Sequence, residues 1–272
     1  MRNRWLIFYN TKPEMMKLTN LSLVGAFLVL SACTTKKNQE TSTKEQIPYS
    51  IKKIFPHDNK AFTQGLTVAD GKLFESTGQD GSWIAEVDIA TGAQDKKVVL
   101  NEKYFGEGIA VLNKKIYQLT WKNHLGFIYD LRTFEKISEF QYDHEGWGIT
   151  TDDKHLIVSD GTSKIRFLDT LTLKSVRDLN VTDGPESVDK LNELEFIDGF
   201  IFANQWQTNY ILKINPTTGE VVGRMDLSAL AEKMYPLNPD ADVLNGIAYE
   251  KKSKLLLVTG KLWPALFALK IN

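Results

Sequence analysis

Short apolar runs separated by polar turns fill most of the chain after residue 49. The runs KIYQLTW, HLIVSD, GFIFANQW and KLLLVTG follow the polar turns LNKK, TDDK, IDG and KKSK, respectively. Short runs at this regular spacing are typical of the β-strands of a sandwich, a barrel or a propeller. Helical periodicity is scarce. Only LSALAEKM, residues 227–234, predicts a short helix, and Ser228 is its expected N-cap.

Five stretches of the chain repeat one motif, and they are QGLTV from Gln64, EGIAV from Glu107, WGITT from Trp147, NELEF from Asn192 and NGIAY from Asn245. Their starts lie 43, 40, 45 and 53 residues apart, and the longest interval contains the expected helix. A repeat of about 40–45 residues with four strands has the size of one propeller blade. The sequence therefore predicts an all-β, five-bladed β-propeller over residues 49–272, with one short helix inserted before the last blade.

The repeat also predicts which residues meet at the central channel. The innermost strand of a blade runs beside that channel, so the first residue of each repeat is expected at one end of it. The next residue is glycine in four repeats, which allows neighbouring backbones to approach closely. A second set, at the ends of the following strands, is expected at the same channel mouth: Gly78, Trp121, Thr162, Trp206 and Lys261.

The amino-acid composition differs from that of the repeats mainly at the N-terminus. Residues 16–33 contain an early lysine, an apolar run over 21–30 and the ending LSAC, which resembles a bacterial lipoprotein signal rather than a membrane-spanning helix. We therefore expect an N-terminal extension and signal peptide over 1–33, with lipidation of Cys33. An unmodified thiol is the alternative. The polar residues 34–48 are expected to form a disordered tether. The protein is then expected to be exported and lipid-anchored on a bacterial membrane facing the periplasm, on the outer membrane.

Charge and residue type exclude several kinds of site. The net charge is −1 with mixed signs along the chain, so we expect no nucleic-acid partner. Cys33 is the only cysteine, and no two of the four histidines have helical metal-ligand spacing. We therefore expect no metal and no cofactor. Ser159, in SDGT, belongs to a turn signal rather than to a nucleophile motif. A closed propeller has no obvious need of a second copy, so a monomer is expected.

Eight segments, in order, resemble the plant and bacterial type of glutaminyl-peptide cyclotransferase: FTQGL, FGEGIA, LTW, EGWGI, LNELE, ANQWQT, LNGIAY and TGKLWP. The resemblance runs from about residue 49 to the C-terminus. It implies a five-bladed propeller that converts N-terminal glutamine of peptides to pyroglutamate and releases ammonia. The zinc-dependent animal enzyme with the same activity is unrelated.

The resemblance also implies roles for individual residues. The family's acid/base glutamate falls on Glu107. Its pocket aromatics fall on Phe62, Phe105, Trp121, Trp147 and Trp206. Its polar positions fall on Gln64, Asn192 and Lys261. Glu193 and Glu195 match as well, and we count Glu193 among the substrate-binding residues and assign Glu195 no role.

The chemistry explains why such a site needs these residues. The α-amine attacks the amide carbon of its own side chain, so the enzyme selects the folded-back rotamer, moves protons and stabilises the oxyanion. One carboxyl group, on Glu107, can accept the proton of the amine and deliver it to the leaving nitrogen. Aromatic neighbours would raise the pKa of Glu107 and Lys261 would lower it, and the sequence leaves that balance open.

Two other functions remain open at this stage. The first is a non-catalytic propeller lipoprotein that binds peptides or glycans at the channel mouth, since a fold alone does not give a function. The second is a propeller lyase, which would favour a metal and a pair of histidines that the repeat does not supply. Glu107 itself could be a solvated charge in a Gly-Glu-Gly turn. Release of ammonia from a peptide with N-terminal glutamine separates these alternatives.

Overall fold

A computed structural model describes residues 44–79 and 81–272. The expected signal peptide, Cys33 and residues 34–43 of the expected tether lie outside the described residues. The first two strands of the described chain are β1 (Glu45–Gln46) and β2 (Tyr49–Pro56). Both pair with strands of blades that come much later in the sequence.

Five sheets within the described residues form the blades, each with four antiparallel strands, and β1 adds a fifth, parallel strand to the fourth blade. The first blade consists of β3 (Thr63–Ala69), β4 (Lys72–Thr77), β5 (Trp83–Val87) and β6 (Gln94–Val99). The second consists of β7 (Gly106–Leu112), β8 (Lys115–Thr120), β9 (Leu125–Asp130) and β10 (Lys136–Gln141). The third consists of β11 (Ile149–Thr151), β12 (His155–Ser159), β13 (Lys164–Asp169) and β14 (Ser175–Asn180).

A small hairpin, β15 (Thr182–Asp183) with β16 (Glu186–Ser187), leads into the fourth blade. That blade consists of β17 (Leu191–Ile197), β18 (Phe200–Gln205), β19 (Tyr210–Ile214) and β20 (Val221–Asp226). Helix α1 (Ser228–Met234) follows, and the last blade consists of β21 (Leu244–Glu250), β22 (Leu255–Gly260), β23 (Ala265–Ile271) and β2 from the N-terminus. The innermost strands contact one another in a closed ring, because β21 packs against β3. The predicted all-β propeller with a helix before the last blade is confirmed.

Strand β2 closes the propeller by completing its last blade, which the repeat alone did not predict. Strand β2 pairs with β23 from Tyr49 opposite Ile271 to Pro56 opposite Ala265, so the last blade takes its outer strand from the N-terminus. Two distant parts of the chain therefore hold one sheet together. The apolar core lies between adjacent blades, as where Ile157 of the third blade shares a cluster with Leu194 and Ile201 of the fourth.

The end of the expected tether is structured, which corrects the boundary at residue 48. Strand β1 pairs in parallel with β20, Glu45 opposite Gly223 and Gln46 opposite Arg224. Ile47 is buried in the same apolar cluster as helix α1. The composition of residues 34–48 is polar overall, but one apolar side chain and a free sheet edge suffice to dock its last residues.

Helix α1 is at the expected place, yet its N-cap differs from the prediction. Leu227 is the N-cap residue and makes no side-chain capping bond, and Ser228 is already helical. The backbone N–H of Ser228 instead donates to Oδ1 of Asp226, at 2.9 Å. Asp226, at the end of β20, therefore satisfies one of the free backbone N–H groups of the first helical turn, a different one from those that a Ser228 cap would reach. Within the described part of the chain, no helix is long and apolar enough to cross a membrane.

Glycines after the first residue of a repeat allow the inner strands to approach one another. A Cβ added at Gly108 would lie 2.7 Å from the backbone oxygen of Trp147, and one at Gly148 would overlap the backbone oxygen of Asn192. These are backbone atoms of the next blade, so no side-chain movement could relieve the overlap. The close approach predicted from the repeat is confirmed.

Candidate active site

A β-bulge lies near the start of four inner strands in the described propeller. The irregular segments of β3, β7, β17 and β21 contain Gln64, Glu107, Asn192 and Asn245, which are the first residues of their repeats. A bulge adds a residue to one strand and re-aims its side chain, so polar groups can turn out of the blade packing. In the third blade, Trp147 stands two positions before β11.

A cavity of about 180 Å³ lies beside Gln64, Glu107, Trp147 and Asn192. Typical small-molecule pockets measure about 300–1,000 Å³, so this one suits a single small residue rather than a folded peptide. Five aromatic and four polar residues form its wall, and they are Phe62, Phe105, Trp121, Trp147, Trp206, Gln64, Glu107, Asn192 and Lys261. The structure thus brings together nine of the ten residues expected at the substrate site.

The aromatic wall consists of two groups of ring contacts, Phe62–Phe105–Trp121 and Trp147–Trp206. Phe105 contacts Phe62 edge-on at a centroid distance of 6.1 Å and Trp121 at 5.5 Å. Trp147 meets Trp206 edge-on at 5.5 Å. Such contacts stabilise the rings in one arrangement and give the cavity an apolar surface. Gly78, of the second predicted set, supports this wall indirectly, because a Cβ there would overlap the ring of Phe105.

The polar floor of the cavity centres on Glu107, whose residue surface is 3% exposed. Its Oε1 accepts a hydrogen bond of 3.0 Å from Nε2 of Gln64. Asn245 in turn donates to Oε1 of Gln64 at 3.3 Å and to the backbone oxygen of Thr63 at 3.0 Å. Asn245 therefore does not line the cavity but fixes the Gln64 amide with its NH₂ group toward Glu107.

Burial sets the protonation of the two charged groups. Desolvation raises the pKa of Glu107 well above its usual value, the charge of Lys261 opposes this, and the charge of Glu145 adds to it. Desolvation lowers the pKa of Lys261, while Glu107 and Asp242 raise it. The balance that the sequence left open is therefore decided by burial, and a high pKa suits a carboxyl group that exchanges protons near neutral pH.

Asn192 and Lys261 complete the polar part of the wall. Oδ1 of Asn192 is buried and has no hydrogen-bond partner among residues 44–79 and 81–272. A buried acceptor without a partner is costly, and a ligand N–H group in the cavity would satisfy it. The ammonium of Lys261 lies 4.6 Å from the ring centre of Phe62, which holds the charge beside the cavity.

Glu193 does not line this cavity, which corrects its expected contact with substrate. Its Oε1 accepts the backbone N–H of Leu66 at 3.2 Å, and its Oε2 accepts that of Ile247 at 2.8 Å. Both oxygens are thus committed to backbone groups of other blades. Glu193 replaces the glycine of its repeat and joins blades across the channel. Thr162, of the second set, also stays outside and bonds to Asp160 in its own turn.

Glu145 borders the site, although neither the repeat nor the resemblance assigned it a role. Its Oε2 accepts the indole N–H of Trp121 at 2.8 Å and that of Trp147 at 2.9 Å. The segment EGWGI contained this glutamate, but it precedes the repeat by two residues, so the repeat could not align it.

His57 was also overlooked. It is buried, with Nδ1 2.8 Å from the backbone oxygen of Trp263 and Nε2 3.1 Å from the Glu75 carboxylate. Burial lowers the pKa of His57, but the interactions with Glu75 outweigh this and the pKa is raised. Because Trp263 belongs to the turn that follows Lys261, this buried pair braces the segment that supplies the lysine.

The arrangement has the parts for proton transfer within a small, largely apolar space. A buried carboxyl group of raised pKa, a nearby ammonium group and two side-chain amides surround a small volume that is walled by aromatic rings. Such a set can hold an amine and an amide together, move a proton between them and stabilise a developing oxyanion.

Comparison with known proteins places the chain in a family. The profile described as glutamine cyclotransferase matches residues 24–271. The chain is 37% identical over 274 residues to a glutaminyl-peptide cyclotransferase of Arabidopsis thaliana, covering 97% of this chain and 86% of that protein. The crystal structure of Myxococcus xanthus glutaminyl cyclase superimposes with a TM-score of 0.79 at 35% identity, covering 84% of this chain and 99% of that one. The resemblance seen in the sequence is confirmed: the chain belongs to the glutamine cyclotransferase family of enzymes.

Proposed function

We propose that this enzyme converts the N-terminal glutamine of peptides and proteins to pyroglutamate with release of ammonia, and that Glu107 is its general acid and base. The observation that carries the proposal is the buried Glu107 carboxyl group, bonded to Gln64 at 3.0 Å, on the floor of an aromatic cavity. A site that only binds peptides has no need of a buried carboxyl group with a raised pKa.

The cavity supports a folded-back substrate conformation. At about 180 Å³ it holds the glutamine side chain and its α-amine together, while the peptide continues out of the mouth. The unpartnered Oδ1 of Asn192 is suited to accept an N–H of the substrate amide. The aromatic wall excludes water, which limits competing hydrolysis to glutamate. Nucleophile and electrophile already belong to one residue, so holding this rotamer is the main positioning task.

Proton transfer follows from the position of Glu107. The neutral α-amine attacks the side-chain amide carbon, and the Glu107 carboxylate takes one proton from the nitrogen as the new C–N bond forms. The protonated carboxyl group then gives this proton to the leaving nitrogen, and the old C–N bond breaks to release NH₃. Each proton lost by the nucleophile is gained by the leaving group, so the enzyme is unchanged after one turnover.

The oxyanion formed in between needs a positive or hydrogen-bonding partner. Lys261 is the candidate, because its ammonium group stands beside the cavity and its pKa remains influenced by Glu107. Gln64 and Asn192 orient the carboxyl group and the substrate amide, respectively. A preorganised donor of this kind contributes about 10²–10³ to the rate.

The test is incubation of the protein with the dipeptide Gln-Ala, with ammonia assayed and the peptide mass recorded. We expect ammonia in step with the loss of one NH₃ from the peptide. N-acetyl-Gln-Ala, whose amine is blocked, and Asn-Ala, whose side chain is one methylene shorter, are the controls and should not react. A folded sample that releases no ammonia from Gln-Ala would contradict the proposal and favour a peptide- or glycan-binding propeller.

We also propose that the protein is exported as a monomer and held on a bacterial membrane by a lipid on Cys33, facing the periplasm. The support is the sequence 16–33, which ends in LSAC. Cells that express the full chain and are fed an alkyne-tagged fatty acid should label the protein but not its Cys33→Ser variant. Equal labelling of both, or of neither, would contradict the anchor. Light scattering of detergent-solubilised protein tests the monomer.

A further inference from the structure

We propose that Glu145 is a positioning residue for the reaction: its carboxylate locks the indoles of Trp121 and Trp147, which come from two different blades, into the shape of the cavity wall. This proposal rests on the proposed function. Glu145 does not line the cavity, so its hydrogen bonds affect the reaction only through the two tryptophans.

The hydrogen bonds of Glu145 are the first argument. One oxygen, Oε2, accepts both indole N–H groups, at 2.8 and 2.9 Å. Trp121 follows the second strand of the second blade, whereas Trp147 precedes the first strand of the third. A single acceptor therefore fixes the relative position of two rings that no strand ladder holds together, and bonds to an ionised acceptor are the stronger kind.

The loop that carries Glu145 is itself held firmly. The N–H of Gly146 donates to the backbone oxygen of Trp121 at 3.0 Å, and the N–H of Trp147 donates to that of Ser159 at 3.1 Å. Nδ1 of His144 lies 2.7 Å from the backbone oxygen of Glu145. Because this backbone is fixed, the Glu145 carboxylate can hold the two indole rings in place. A carboxylate on a mobile loop would move together with the rings.

Charge gives Glu145 a second route to the reaction. The groups that face it are Lys122, whose ammonium lies 3.9 Å from Oε1 and 4.0 Å from the Trp121 ring centre, and the buried Glu107. Glu107 is faced in turn by Lys261, Tyr142 and Glu145. The negative charge of Glu145 disfavours ionisation of Glu107, so removing it should favour the Glu107 carboxylate.

The hydrogen bonds and the charge of Glu145 predict different kinetic effects for two variants. Glu145→Ala removes the acceptor and the charge, whereas Glu145→Gln removes the charge but keeps an oxygen that can accept both indoles. We expect Glu145→Ala to lower kcat/KM on Gln-Ala by about 10-fold or more, mainly through KM, since charge-assisted hydrogen bonds of this strength are lost. Glu145→Gln should stay within about 3-fold, with the acidic limb of its pH profile moved to lower pH.

Tryptophan fluorescence gives a readout that does not depend on turnover. Freed indoles should be quenched more by acrylamide in Glu145→Ala than in Glu145→Gln or the wild type. Glu139→Ala is the matched control, because Glu139 forms an exposed pair with Lys136 on strand β10 of the second blade. In a Trp121→Phe background, which lacks one indole N–H, the effect of Glu145→Ala on kcat/KM should shrink.

The proposal is overturned if Glu145→Ala keeps kcat/KM within 2-fold of the wild type. It is equally overturned if the Ala and Gln variants lose activity alike while the quenching stays unchanged, because charge alone would then act. If Glu145→Ala does not fold, Glu145→Met, which also removes the acceptor, replaces it in the wild-type and Trp121→Phe backgrounds, and additive effects of the two substitutions overturn the proposal. A wild-type protein inactive on Gln-Ala would contradict the proposed function, while the quenching would still decide the role of Glu145.

Discussion

Gln64 donates its side-chain amide to Oε1 of Glu107 over 3.0 Å, although the two residues belong to neighbouring blades and lie 43 positions apart in the sequence. Each is the first residue of its repeat, and each is turned toward the channel by the irregular start of its strand. The bond therefore fixes one oxygen of Glu107, and the proposed proton transfers would use the other, Oε2.

Replacing Gln64 tests the value of that bond. Gln64→Leu removes the donor to Oε1, so the Glu107 carboxylate is less stabilised and its pKa should rise further. We expect kcat on Gln-Ala to fall about 10-fold and the acidic limb of the pH profile to move to higher pH, as measured by steady-state kinetics. An unchanged profile would show that the bond has no part in catalysis.

Lys261 is expected to act through its charge. Lys261→Met keeps the apolar stem but removes the ammonium group, and we expect kcat/KM to fall by about 10²–10³, the usual effect of losing an oxyanion donor. The pKa of Glu107 should rise, because Lys261 opposes the effect of burial, and the acidic limb should move to higher pH. Lys213→Met is the control, since Lys213 also lies over a phenylalanine, Phe200, at 4.4 Å, but on β19, the third strand of the fourth blade. A Lys261 variant with wild-type kcat/KM would remove this residue from the site.

Glu195 makes stability depend on pH. Its Oε1 accepts the N–H of Tyr249 at 2.9 Å, and burial raises its pKa to about 7 from a model-compound value of 4.5. Between these values the unfolded chain is ionised and the folded one is protonated, so this contribution to stability is complete below about pH 4.5 and is lost as pH rises through about 7. Glu195→Gln should raise stability above pH 8 by up to about 3 kcal/mol and flatten the decline of Tm with pH.

The variant Glu193→Gln is compared with Glu195→Gln in the same measurement of stability. Both of its oxygens accept backbone N–H groups, so Glu193→Gln would turn an NH₂ group toward one of these donors. We expect this variant to be less stable than the wild type by about 1–3 kcal/mol, the cost of an unsatisfied buried donor. Equal pH profiles of Tm for the Glu195→Gln variant and the wild type would contradict the assignment of the decline to Glu195.

Gly148 is required where the third and fourth blades meet. Gly148→Ala would place a methyl group against the backbone oxygen of Asn192, and backbone atoms cannot move aside. We expect a loss of about 3 kcal/mol or more in urea unfolding, at the upper end of overpacking effects. Gly223→Ala is the control, because the nearest atom to its added Cβ is the flexible end of Ile47. A Gly148 variant as stable as this control would contradict the close approach of the two blades.

The repeat period predicted the number of blades. It also predicted that Gln64, Glu107, Trp147 and Asn192 lie at one end of the channel, because each inner strand begins at that end. It could not give the role of Glu193, since its side chain reaches across the channel to other blades. Nor could it reveal Glu145, whose partner Trp121 lies 24 residues away across a loop. The pairing of β2 with β23 also escaped it, because a strand borrowed from the other end of the chain has no local pattern.

Glu107 is proposed to carry out the proton transfers, and this role can be measured as the turnover of Glu107→Gln on Gln-Ala. The amide is of similar size and can still accept from Gln64, so the variant should fold with the circular dichroism and Tm of the wild type. We expect a kcat lower by about 10²–10⁴, because the amide cannot exchange a proton. A folded Glu107→Gln variant with a kcat near that of the wild type would contradict the acid/base role of Glu107.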